Sequence, residues 1–217
     1  IYLLVLNLPR SFTTSVSKQF EIISLILIRR IFADIPKVDL SADWFSTKEN
    51  LELIYNILGV LILYYLIFLF NKARHKLEKK PLTDVISKFV TSKKGVSLIL
   101  LFVLIVLSFT SAYNWGKDLL LNDSSGDINS VFYNEFFSVL ILADVLILLL
   151  SFQYTERYSQ IVRNTGFIIS TVLIRLSFGV TGLANISLVV SSVVFGLIIL
   201  WVYNLTEKER RRRINII

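Results

Sequence analysis

Apolar runs long enough to cross a bilayer dominate this chain, and they leave few folds open to it. Crossing ~30 Å of hydrocarbon takes about 20 helical residues. Residues 51–70, 96–115, 132–152 and 186–203 meet or nearly meet that length. A fifth run, 166–178, meets it only with its flanks, because Arg175 interrupts it. With 54% hydrophobic and 18% charged residues, the chain is too apolar for a soluble domain of 217 residues. The expected fold is all-α: a polytopic membrane bundle of about five transmembrane helices, preceded by an N-terminal interfacial helix.

The charges between the runs give the orientation. Between the first two runs stand Lys72, Arg74, Lys76, Lys79, Lys80, Lys88, Lys93 and Lys94, against Glu78 and Asp84. The next loop carries Lys117 against Asp118, Asp123 and Asp127, and the third carries Arg157 and Arg163 against Glu156. Residues 179–185 are uncharged, and the C-terminus holds Lys208 and Arg210–Arg213. Basic loops alternate with acidic or neutral ones, as five spans with a cytoplasmic C-terminus require. Trp115 and Trp201 fall at or near predicted span ends and Trp44 just ahead of the first, compatible with the headgroup zone.

Residues 20–35 are too short and too charged to span easily, so an interfacial or re-entrant piece is expected there. Ser46-Thr47-Lys48-Glu49 resembles a capping box opening the first long helix. Residues 82–90 place Leu82, Val85, Ile86, Phe89 and Val90 on one helical face, which predicts a basic amphipathic segment resting on anionic lipid. Three parts are therefore expected: 1–50 as the N-terminal interfacial segment, 51–95 as a transmembrane helix with a cytoplasmic basic loop, and 96–217 as a four-helix module with a basic tail. With no methionine, even at position 1, the chain is expected to begin after a true start, so no signal peptide is argued.

Two charged residues stand near the middle of such runs: Asp144 in FFSVLILADVLILLLSF and Arg175 in GFIISTVLIRLSFGV. A charge at that depth costs roughly 2.5–3.5 kcal/mol on insertion scales, so each is a site candidate and each is the obvious partner of the other. Their runs are consecutive and antiparallel. Asn164, Thr171, Gly179 and Gly182 share Arg175's helical face, and small or polar residues mark helix contacts or a wet cavity. Arg163 opens the same segment. The pair reads either as a packing element or as a gate. A voltage sensor is not the expected reading, because no basic residue repeats between Arg163 and Arg175.

Other features are weaker. Ser187-x3-Ser191 and Ser192-x3-Gly196 have the spacing that lets helices approach closely. Lys79, Lys80, Lys93, Lys94 and Arg210, Arg211, Arg212 and Arg213 form the cytoplasmic basic set, suited to anionic headgroups or a cytosolic partner. Zero cysteines exclude disulfides and thiolate chemistry, and the single histidine, His75, removes most zinc chemistry. The sequence has no HExxH, GxSxG, P-loop or GxGxxG pattern, so no enzyme, cofactor or metal is expected, nor nucleic acid.

Asp144 in LILADVLILL, Arg163-x11-Arg175 in RNTGFIISTVLIRLSF, and LIILWVYN running into KERRRR together resemble the phosphate-starvation-inducible protein E (PsiE) family. The resemblance covers roughly 96–213, with Asp where the family is expected to carry Glu. It implies a four-helix bacterial inner-membrane module in which the acid–arginine pair recurs, and a link to stress response. The expected function is an oligomeric pore-forming or membrane-perturbing component gated through Asp144 and Arg175. The alternative is an anchoring subunit that recruits a cytosolic protein through the basic loop.

Overall fold

The computed structural model describes residues 2–38, 47–75, 84–121, 128–154, 157–180 and 182–214. These are helical almost throughout: α1 (Tyr2–Asn7), α2 (Phe12–Asp34) followed by a 3-10 turn (Ile35–Lys37), α3 (Lys48–His75), α4 (Asp84–Leu121), α5 (Ile128–Tyr154), α6 (Tyr158–Ser177) and α7 (Gly182–Ile214). There is no strand among the described residues. Among the described residues, four stretches are long and apolar enough to cross a membrane: Lys48–Arg74, Ser87–Asn114, Glu135–Tyr154 and Gly182–Arg213. The fifth expected span corresponds to α6, which is 20 residues long but not among those four.

The helices gather into two compact units that do not follow chain order. One contains α1, α4 and α5; the other contains α2, α3, α6 and α7.

In the first unit, α4 and α5 run antiparallel, with the Phe89 and Tyr154 rings 5.3 Å apart. Leu100 and Leu104 of α4 and Phe136, Leu140 and Ile147 of α5 are buried. Leu98, Ile99, Phe102 and Phe109 stand exposed. Residues 84–90 are not a separate surface segment, as expected, but the opening turns of the 38-residue α4. No Gly or Pro interrupts the chain between Asp84 and Lys94, so the helix has no local reason to stop.

In the second unit, two helices of modest hydropathy lie lengthwise on two apolar ones. α2 runs antiparallel to α3: Ser17 Oγ donates to Asn71 Oδ1 at 2.5 Å, Phe20 meets Phe70 edge-on at 5.1 Å, and Asn56 Nδ2 donates to Asp34 Oδ2 at 3.1 Å. α6 runs antiparallel to α7, from Arg163 over the Tyr203 ring (4.4 Å) to Ser177, whose carbonyl accepts from Asn185. α3 and α7 are parallel, with Gly59 against Ile186 and the Ala73 carbonyl accepting from Asn204 at 3.3 Å.

Close approach depends on small residues. A Cβ at Gly166 would lie 2.7 Å from Ile199 Cγ1, and one at Gly59 would lie 2.6 Å from Ile186 Cγ2. Gly182 turns the chain into α7 at φ +65°, a conformation L side chains resist.

The expectation for 20–35 is thereby corrected. The segment is not a short isolated piece: it is packed along α3. It belongs to a 23-residue helix that starts at Ser11, whose side chain accepts from the Thr14 amide, and gives way at Ile35-Pro36.

Candidate functional site

Asp144 lies nine residues from Glu135 and ten from Tyr154, the middle of the apolar stretch of α5. It is buried, on a stripe with Phe136, Leu140, Ala143, Ile147 and Ser151, while Leu142, Val145, Leu146 and Leu149 face out. Recurrence every three or four residues puts this carboxylate on the packed side of its helix. Ser151 satisfies its buried hydroxyl locally, donating to the Leu148 carbonyl at 2.8 Å.

Arg175 belongs to the other unit. It is 3% exposed, and its Nη2 donates to Gln19 Oε1 of α2 at 3.0 Å, with Gln19 equally buried. Thr171, one turn back, is buried and donates to the Ile168 carbonyl at 2.9 Å. Ser170 and Ser192 exchange hydroxyl-to-carbonyl bonds of 2.8 and 2.6 Å across the α6–α7 seam. A Cβ at Gly196 would sit 3.0 Å from Ser170 Oγ and 3.1 Å from Phe20. Ser192-x3-Gly196 is therefore an intrachain packing surface, whereas Ser187 and Ser191 are exposed.

Nearer the start of α6, Asn164 is buried and its side-chain oxygen accepts from Arg163 Nη2 at 2.9 Å. The Arg163 guanidinium stacks 4.4 Å over Tyr203. Cation–π stacking and the amide bond together hold this partly buried cation where the helix ends meet.

The packed face of α6 mixes polar and apolar side chains. Asn164, Ser170, Thr171, Arg175 and Ser177 are buried beside Phe167, Ile168 and Ile174, while Val162, Ile169 and Leu176, seven residues apart, point outward. α2 shows the same mixture, burying Thr13, Ser15, Ser17 and Gln19 with Phe12, Val16, Phe20 and Ile23 and exposing Leu25 and Phe32. In water, polar groups on a packed face and large apolar ones outside are the exception.

The cytoplasmic basic set divides. Lys93 is not a free surface cation, as expected, but 2% exposed; its Nζ donates to the Arg10 carbonyl at 3.0 Å and sits 5.0 Å from the Phe89 ring centroid. Its butyl stem is taken into the α1–α4 packing, and its ammonium meets a carbonyl and an aromatic face. Lys94 is exposed. Arg210 pairs with Glu207 at 2.8 Å, and Arg211, Arg212 and Arg213 are exposed on the last turns of α7. Lys79, Lys80, Trp44 and Ser46 of the capping box lie outside the described residues.

Gln19 is the site residue that sequence reasoning missed. The signal was the polar set at 13, 15, 17 and 19 ahead of the apolar run that begins at Phe20. Among the described residues, no group of three or more His, Cys, Asp or Glu could hold a metal ion. No protein-family model matches the chain, and comparison with curated proteins and with solved structures gives no match.

Proposed function

We propose that this is a multi-pass inner-membrane protein of bacterial type in which α3, α4, α5, α6 and α7 cross the bilayer and the basic C-terminal end of α7 is cytoplasmic. In this reading the protein is an oligomeric pore-forming or membrane-perturbing component, with Asp144 and Arg175 acting together to control opening. It performs no covalent chemistry. One observation carries the reading: α6 buries Arg175 with Asn164, Ser170, Thr171 and Ser177, beside Phe167 and Ile174, and exposes Val162, Ile169 and Leu176, while lying lengthwise on the apolar α7. Polar side chains turned inward at bilayer depth are what pathways and their gates are built from, and a charge there is a functional candidate.

Small residues pack α6 closely onto α7, which suits a gate held shut better than an open channel within one bundle. Ion passage through contacts between copies accommodates both facts. The anchoring alternative keeps Lys94 and Arg211–Arg213 as exposed contacts with anionic lipid or a cytosolic partner, but the internal bond of Lys93 removes it from that surface.

Ion flux in liposomes, natural chain against Asp144→Asn and Arg175→Gln at matched incorporation, is the test. A change of about tenfold, equivalent to ~1.4 kcal/mol in the open–closed balance, is expected from each. The exchanged protein, Asp144→Arg with Arg175→Asp, is expected to recover part of the natural behaviour. Absence of flux from folded, oriented protein would end the channel reading in favour of the anchor.

A further inference from the structure

We infer that α2 also crosses the membrane, making six crossings and setting the start of α2 on the same side as the basic end of α7. This goes one crossing beyond the topology proposed above, and it rests on its own observations.

The first is alignment. Ser17 contacts Asn71 and Asp34 contacts Asn56, so α2 follows α3 across 15 residues, ~22 Å at 1.5 Å per residue. A helix lying flat on the surface crosses a spanning helix at one level and cannot touch it at both. Since α3 is long and apolar enough to span, α2 shares its depth. The 23 residues of α2 reach ~35 Å, more than the hydrocarbon thickness.

The second is that α2's polar groups are answered inside the unit, so its low hydropathy does not bar it from the bilayer. Lys18 pairs with Glu21 at 2.5 Å, and Glu21 also accepts from Asn71 at 3.3 Å. Gln19 accepts from Arg175, and Asp34 accepts from Asn56. Leu25 and Phe32 are left facing outward, as lipid requires. Arg29 and Arg30 stand five and four residues from Asp34, close enough for long side chains to reach that interface.

The third is charge alternation. With α2 as a crossing, Arg10 falls on the side of Lys72, Arg74, Arg157 and the arginine tail. Arg10 thus joins the basic side, while Arg29, Arg30 and Lys37 are the cations that run against the positive-inside tendency.

The chain has no cysteine, so single substitutions give unique labels without any background change. In sealed vesicles of known orientation, Ser11→Cys, Val38→Cys and Glu209→Cys would be probed with a membrane-impermeant maleimide before and after permeabilisation. Asn7→Cys repeats the first position without touching the α2 cap. Ser11→Cys and Glu209→Cys are expected to be labelled on one side and Val38→Cys on the other. Labelling of Ser11→Cys and Val38→Cys on the same side would overturn the sixth crossing and leave the five-span reading standing. Glu209→Cys reacting from outside, with Val38→Cys still opposite to it and to Ser11→Cys, would keep the crossing and overturn the cytoplasmic C-terminus instead.

Discussion

The α4–α5 pair and the α2–α3–α6–α7 bundle answer the same solvent problem in different ways. α4 presents Leu98, Ile99, Phe102 and Phe109 outward and needs little inside it: only a narrow line through Lys93, Ser97, Leu100 and Leu104 is buried. The bundle hides Gln19, Asn164, Ser170, Thr171 and Arg175 and brings its helices together on glycine and serine. In lipid, apolar surface is no driving force for association, so both arrangements depend on shape, and in the second the hydrogen bonds between helices break if one member is removed. Sensitivity to mutation follows the same divide.

The largest effect is expected at Gly166→Leu. A Cβ alone would meet three atoms of Ile199 at 2.7–3.0 Å, so a leucine must push α6 from α7, at about 3 kcal/mol. Unfolding of the purified variant in detergent measures this, and a near-natural midpoint would break the claim of close packing. Gln19→Leu comes next. It takes from Arg175 an acceptor at 3.0 Å in a site where neither residue is exposed, costing about 2 kcal/mol by the same assay, while Gln19→Glu keeps an acceptor and should lose less. Equal losses from both would show that the bond contributes nothing. The smallest effect belongs to Phe102→Ala on the outward face of α4, where a change within about 0.5 kcal/mol is expected. A loss comparable to that at Gln19 would mean that this face is packed in the working protein, as a subunit interface would be.

Hydropathy made α3, α4, α5 and α7 legible because their outward faces are continuously apolar. It hid α2, whose charges look intolerable until Glu21 meets Lys18 and Asn71, residues 3 and 50 positions away. The helical spacing of Asn164, Thr171 and Arg175 was enough to place them on one face, since 3.6-residue periodicity is local. Lys93 was read as a surface cation beside Lys94, because its burial depends on a carbonyl 83 residues earlier. The two serine motifs of α7 share one spacing, yet only Ser192-x3-Gly196 is packed, and nothing local says which face of a helix its neighbours will cover. The resemblance to the PsiE family expected over 96–213 is matched by no family model. The functional reading therefore stands on α6 and its depth.

That depth can be measured directly. A spin label at Ile169→Cys, on the outward face of α6 and 45% exposed in the single chain, would report relative accessibility to oxygen and to a water-soluble nickel complex in lipid bilayers. Strong relaxation by oxygen with little by nickel, matching a label at Ile198→Cys on the outward face of α7, is the predicted result. Ready access of nickel to Ile169→Cys but not to Ile198→Cys would put α6 outside the hydrocarbon and contradict the placing of Arg175 at bilayer depth.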